Sequence, residues 1–369
     1  MLRIVVVLAL LAGFALSPKL WLSSRFYPLT PVWPLVRGFG YPGDSIVLFA
    51  LIALLIAICF VSRREIFGAA FALLLLLALQ DQSRWQPWFY QYVLMLLAIG
   101  LAGRKGDAAA RQTCCLIVAF IYIWSGLGKL NPNFAGVIFP ALIAPFVGAK
   151  VAYANRFVHG LALAAPFLEC AAGAGLLTRR FRRPALFCAI GMHMFILLAI
   201  GPLGTRSNSI VWPWNLAMIA FLLILFSRPA QRMPGQSFPF QKVIVVLVIG
   251  MPALSFFNLW DQYLSASLYS GNRCSGVIYF DDAVFDQLPE QIQDYVTDEG
   301  PNRSGLDIHE WSLAELNVAS YPEVRIYRNV ARRICAYVPA GSSMELVVQE
   351  KRALMNGGRR LVYGCRELE

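Results

Sequence analysis

The stretch QTCCLIVAFIYIWSGLGKLNPNF, residues 112–134, decides how the rest of the chain is read. It is apolar from Cys114 to Trp124, narrows to Ser125, Gly126, Leu127 and Gly128, brings in Lys129 and turns at Asn131 and Pro132. A run of this kind matches the roughly 20 residues needed to cross a hydrocarbon core of about 30 Å. The lysine at its end has two readings. It is either a side chain that extends its ammonium to the interface or a group held within the bilayer for chemistry.

The same pattern recurs outward from this segment. The chain has 369 residues, 58% hydrophobic and 14% charged. Apolar runs fall at residues 3–22, 45–62, 66–80, 88–103, 112–130, 153–177, 184–203, 210–227 and 241–257. They predict an all-α polytopic membrane helical bundle of about nine transmembrane helices. The net charge of +11 does not indicate nucleic acid, because the cations gather in short loops between apolar runs. Arg63 and Arg64, then Arg104, Lys105 and Arg111, then Arg179, Arg180, Arg182 and Arg183, then Arg228, Arg232 and Lys242 occupy alternate loops. The intervening loops QDQSRWQP, NPNFAGVIFPALIAPFVGAK and GTRSNS carry few. The positive-inside rule therefore puts the N-terminus in the cytoplasm and the C-terminal tail outside, in a bacterial-type inner membrane. ALSPKLW is a poor cleavage site, so the first run is read as a retained anchor.

Composition shifts after Asn258, giving a transmembrane domain at 1–257 and an exported soluble α+β domain at 258–369. The latter is about 110 residues, enough for its own core. SGVIYF reads as a strand, AVFDQLPEQIQDYV as a helix containing Pro289, and YPEVRIYRNVARRICAYV as a helix with Pro322 in its first turn. MELVVQEKRALMNGGRRLVYGCREL reads as a hairpin turning near Asn356, Gly357 and Gly358. Of the eight cysteines, Cys274, Cys335 and Cys365 lie in this tail, where oxidation is permitted. One disulfide is expected, with its pairing open. Cys59, Cys114, Cys115, Cys170 and Cys188 read as small apolar packing residues.

No phosphate-binding glycine loop, His-Glu-x-x-His or Cys-x-x-Cys is present, and no metal site is expected. What remains is ionisable residues inside apolar runs: Lys129, His159, Glu169 and His193. At 1.5 Å per residue, His159 lies about 9 Å and Glu169 about 24 Å below the outer start of the sixth run. Lys129, His159 and His193 are thus expected to converge in an outward half-cavity, with Glu169 deeper. Each also has a plain reading: an interface anchor for Lys129, neutral hydrogen-bonded core residues for the histidines, and a protonated or Arg179-paired carboxyl for Glu169. The histidines as axial ligands of a b-type haem are a weaker alternative, since their depths differ. Gly126 and Gly128 allow a helix or ligand to approach closely. Trp212 and Trp214 read as interface anchors or as rings flanking a cofactor.

SGLGKLNPNF resembles the helix of vitamin K-dependent gamma-carboxylases and the horizontally transferred transmembrane (HTTM) family, in which Gly and Lys-Leu-Asp or Lys-Leu-Asn close a span. CAIGMHMFILLAIGPLGTRSNSIVWPWNLAMIAFLLILF is similar to that family's His-bearing helix and the aromatic-Pro-aromatic entry into the next. With Glu169 the likeness covers about residues 110–228; DoxX-like membrane proteins are a looser resemblance. It implies a lipophilic cofactor such as a quinol, and it places on Lys129 the role of the base that starts quinol oxygenation. Gly128 stands where the carboxylases have a second lysine, Phe134 replaces a tryptophan, and the large propeptide-binding region has no counterpart. A lysine acts as a base only when neutral, a form favoured by desolvation. The leading expectation is a carboxylase-like core that binds a quinone or other lipophilic molecule, with membrane lipids around it. The alternatives are a non-catalytic docking protein whose exported tail recruits a protein partner, and a transporter, for which no inverted repeat is evident.

Overall fold

The structure is a computed structural model describing all residues except 34, 37, 104, 105, 228–236, 355, 356 and 369. The readings that fall on Arg104, Lys105, Arg228, Arg232 and Asn356 lie outside the described residues. The N-terminal helices are α1 (Leu2–Leu16), α2 (Pro18–Trp21), α3 (Gly43–Phe60), α4 (Arg64–Gln80) and α5 (Pro87–Ala102). There follow α6 (Asp107–Gly128), a π-turn (Phe134–Ile138) running into α7 (Phe139–Val147), α8 (Ala149–Ala154), α9 (Arg156–Leu177), α10 (Arg182–Ile200), α11 (Val211–Phe226) and α12 (Gln241–Val245). A π segment and a 3-10 segment continue α12 to Phe257.

Among the described residues four helices, α3, α6, α9 and α10, are long and apolar enough to cross a membrane. The other expected runs are helical but shorter. A helix of 15 residues such as α1 extends only about 23 Å, against a core of about 30 Å. The first expected span stops at Leu16 because Pro18, which has no N–H to donate, opens a separate four-residue helix. The loop expected at 131–152 is instead largely helical. Phe134 and Phe139 pack on Val158 and Ala162 of α9, and Gly148, at φ 83°, separates α7 from α8.

Two compact units emerge, and they interleave along the chain. The first comprises residues 1–16, 49–75 and 86–272; the second comprises 17–48, 76–85 and 273–369. In the first, α6 packs against α9 through small residues. A Cβ on Gly126 would lie 2.7 Å from Pro166 O and 2.6 Å from Cys170 Sγ, and one on Gly173 would lie 2.6 Å from Ala119 O. As α6 positions rise from 119 to 126 the α9 partners fall from 173 to 166, so the two helices run antiparallel.

The second unit contains a five-stranded antiparallel sheet of β1 (Ser275–Phe280), β2 (Val296–Asp298), β3 (Ser304–Asp307), β4 (Met344–Gln349) and β5 (Arg360–Gly364), in the order β2-β3-β1-β4-β5. The SGVIYF strand is its centre, and β4 and β5 pair antiparallel as the expected hairpin arms. The expected helix around Pro289 is two single turns, α13 (Asp282–Phe285) and α14 (Glu290–Gln293), because proline disfavours helical backbone in the residue before it. α15 (Ile308–Leu316), not anticipated, is N-capped by Asp307. α16 (Val324–Ile334) starts after Pro322 rather than around it and buries Ile326, Tyr327, Val330 and Ile334. Cys335, just past α16, is bonded to Cys365 at the start of α17 (Cys365–Leu368), with Cα atoms 5.6 Å apart. Cys274 remains a buried thiol, pushed up to about 12 by burial.

Loop segments remote in sequence are tied into this second unit by buried carboxylates. Glu315 on α15 accepts from the backbone N–H of Phe26 and Tyr27 and from Trp311 Nε1. Asp81 accepts from Arg25, from Thr30 and from Ser83 N.

Candidate functional site

α6 carries the centre of the site. Tyr122, Ser125 and Lys129 stand at i, i+3 and i+7 and so share one helical face. Lys129 caps the C-terminus of α6. Its ammonium turns back along the helix, donating to Ser125 Oγ at 2.6 Å and to Glu169 Oε2 and Oε1 at 2.6 and 2.9 Å. Both charged side chains are largely enclosed, at 14% and 16% exposure. Glu169 lies about 20 Å from the N-terminal end of α9. The end of α6 therefore meets the middle of α9, and Lys129 is held at that depth by a carboxylate instead of reaching outward. Glu169 is not a separate, deeper group; it is the partner of Lys129.

Asn131 fixes the turn that allows this. Its Nδ2 donates to Gly128 O and Ser270 O, and its Oδ1 accepts from Phe134 N. One amide thus caps the end of α6 and the start of the next helical segment. Gly271, at φ 77°, presses on Phe134, where a Cβ would lie 2.7 Å from the backbone nitrogen. Gly128 faces Ser267 and Ser270, and the buried Ser270 Oγ has no hydrogen-bond partner among the described residues.

A second polar chain crosses α6, α10 and α11. Tyr122 Oη lies 2.6 Å from His193 Nε2, and His193 Nδ1 lies 2.7 Å from Asn215 Oδ1. Asn215 Nδ2 donates to Val211 O, which leaves its oxygen to face the histidine. Nδ1 must then carry a proton, and in the neutral imidazole Nε2 accepts from Tyr122, so the network fixes which tautomer the neutral ring adopts. With both ring nitrogens engaged, His193 has none left for a haem iron, and the axial-ligand alternative lapses.

The other expected site residues lie elsewhere. His159 sits about 15 Å along α9 from Glu169, half-exposed, with Nδ1 on the Asn155 carbonyl of its own helix; it does not converge with Lys129. Gly126 is filled by α9 and offers a cofactor no room. Trp212 Nε1 donates to the carbonyls of Ile200 and Ser207. Trp214 Nε1 donates to Gln91 Oε1 and lines a small cavity with Tyr90, Leu94, Ile117, Phe120 and Trp124.

Ser125, Tyr122, Asn131 and Asn215 were missed by sequence reasoning. A faint signal existed for three of them: Tyr122 and Ser125 share the face of Lys129, and Asn215 is a lone amide in an apolar run. Among the described residues no group of three or more His, Cys, Asp or Glu could hold a metal ion. No family model, curated protein or solved structure significantly matches the chain. Fold and site define a class only: a helical membrane protein with a partly open lysine-carboxylate pair inside its helix packing.

Proposed function

We propose that this is an inner-membrane protein in which Lys129 and Glu169 together withdraw a proton from a hydroxyl-bearing lipophilic substrate, of the quinol class that the carboxylase/HTTM resemblance implies. The observation that carries this reading is the pair itself, held at mid-height of α9 with both side chains still partly reachable. Lys129 becomes a base when its proton passes to Glu169, after which the free amine takes the substrate's proton. Alternatively Glu169 accepts the substrate's proton directly. Either order ends with an ammonium, a protonated Glu169 and a substrate oxyanion beside the positive charge.

The proposed orientation, N-terminus cytoplasmic and tail exported, is supported by which loops meet. Asn131 and Asn133 bond to the carbonyls of Ser270 and Gly271, and Asn208 bonds to Tyr269; charge bias assigns all three segments to the outer side. Arg111 reaches the carbonyls of Ile224 and Leu225, and Arg182 reaches that of Leu176; charge bias assigns these to the inner side. Segments 17–48, 76–85 and 273–369, which share one unit, are likewise all outer by that count.

The test compares Lys129→Arg and Glu169→Gln at matched expression, scoring the phenotype of gene deletion and the lipids that co-purify with the full chain. Guanidinium stays protonated and cannot relay a proton, so Lys129→Arg is expected to abolish function if lysine relays. Glu169→Gln is expected to abolish it in either order. A quinone co-purifying with the wild-type chain supports the reading. Full function in both variants, with only bulk phospholipid bound, overturns it and leaves a docking protein that works through its tail.

A further inference from the structure

The sequence TRRFRR, residues 178–183, joins α9 to α10. Thr178 Oγ1 donates to Gly175 O and accepts from Phe181 N, which folds the joint into a tight turn. A Cβ on Gly175 would lie 2.8 Å from Ala185 Cβ, so the two helices are closely apposed there. Two arginines at this end have work inside the protein. Arg182 Nε donates to Leu176 O and its guanidinium lies over the Phe226 ring; Arg111 donates to Ile224 O and Leu225 O. Both thereby satisfy carbonyls at helix C-termini.

Arg179, Arg180 and Arg183 do not share that task. All three are exposed, and among the described residues none lies within ion-pair distance of a carboxylate. Asp107, one turn before Arg111, forms no ion pair among them either. Between the arginines stands Phe181, 55% exposed, with the Arg180 guanidinium 5.6 Å from its ring centroid. Both flanking helices are long enough to cross a membrane, so their shared turn falls where the hydrocarbon gives way to lipid phosphates.

We propose that this turn is a binding surface for the headgroup of an anionic phospholipid. Three exposed guanidinium groups fall within five residues of one turn without an internal counter-charge among the described residues, and a guanidinium matches a phosphate's geometry by bidentate hydrogen bonding. Phe181 supplies an apolar side chain among them for the boundary below the headgroups. A soluble phosphate compound would use the cations but gain nothing from Phe181. General positive-inside bias explains the sign of the charge on this side but not the clustering around an exposed aromatic. The inference does not depend on Lys129 or on any reaction.

The test places the full-length protein in nanodiscs of about 70% phosphatidylcholine and 30% phosphatidylglycerol and counts retained lipids by native mass spectrometry. The wild-type chain is expected to retain phosphatidylglycerol selectively. The triple variant Arg179→Gln/Arg180→Gln/Arg183→Gln is expected to lose at least tenfold in that selectivity, since each surface cation near an anionic leaflet is worth roughly fivefold. A second variant, Arg63→Gln/Arg64→Gln, removes cations from the α3–α4 turn and is expected to keep it. On wild-type protein, so that misfolding of a variant cannot mask the answer, raising salt from about 50 to about 500 mM should erase the enrichment. The separate variant Phe181→Ser should weaken it. Selectivity unchanged in the triple variant, lost equally in the Arg63/Arg64 variant, or insensitive to Phe181→Ser would overturn the proposal. Inorganic phosphate that displaces the lipid at millimolar concentration would do so as well.

Discussion

Two ion pairs set the two units of this protein apart. In the sheet-containing unit, Arg25 and Asp81 meet at 2.5 Å with side chains 1% and 0% exposed. Around them Thr30 and Ser83 fill the carboxylate's remaining acceptor positions, and Arg84 donates to the carbonyls of Leu20, Leu77 and Trp21. In the helical unit, Lys129 and Glu169 meet at 2.6 Å, yet among the described residues Glu169 accepts only from Lys129. A saturated, fully buried node cannot give up a proton without stranding a partner, so it holds a fold. An under-satisfied, partly open pair can exchange one. Under the proposed function the same chemical contact takes a different role according to what surrounds it.

The largest effect that would sharpen this contrast is expected from Asp81→Asn. It leaves Arg25 and Arg84 buried without their carboxylate and should cost about 3–5 kcal/mol of unfolding free energy, measured by thermal or denaturant melting of the purified protein. The same node predicts a pH dependence. Burial alone would raise the Asp81 carboxyl, but the Arg25 and Arg84 charges and the hydrogen bonds outweigh it and hold the group below its ordinary 3.8. A folded-state pKa below the unfolded one gives stability that is complete above about pH 4 and lost as pH falls through the lower value. Acid melting should therefore be steeper for the wild-type chain than for Asp81→Asn; equal slopes would break the assignment.

A somewhat smaller loss, about 3–4 kcal/mol by loop-closure entropy, is expected from Cys335→Ser/Cys365→Ser, because the bond closes a separation of 30 residues. Mass mapping that finds Cys335 and Cys365 reduced in protein exported to an oxidising compartment would contradict the pairing. A smaller stability change than either is expected from Lys129→Met, because Glu169 keeps partial access to its surroundings where Asp81 has none, although its effect on function should be complete. If Lys129→Met unfolds the protein as severely as Asp81→Asn, the two pairs are alike and the contrast fails.

Much of the helical organisation was legible in the sequence because apolar length is a one-dimensional property. Each expected run is helical over most of its extent, and Lys129 and Glu169 drew notice as charges within such runs. Helix ends were less legible. Pro18 cut the first run short, and residues 134–147 became helical by packing Phe134 and Phe139 on α9, contacts that no local pattern announces. His159 misled because depth was counted along one helix, while its distance from Lys129 depends on how α6 is offset against α9. Tyr122 and Asn215 were missed because a phenol and an amide in apolar runs gain meaning only when His193 lies between them.

Composition and charge order alone determined that the chain is built largely of apolar helices, that cations mark alternate loops between the apolar runs, and that a cysteine-bearing polar tail follows. These properties are sums over neighbours in the chain and require no partner. Only the tertiary structure decided that loops 17–48 and 76–85 belong with the tail, that Cys335 bonds Cys365 while Cys274 stays a thiol, and that Lys129 meets Glu169. Those outcomes join residues 30 to almost 300 positions apart. They are selected by which buried charge finds which counter-charge or donor, since a carboxylate left alone in a dry interior costs several kcal/mol.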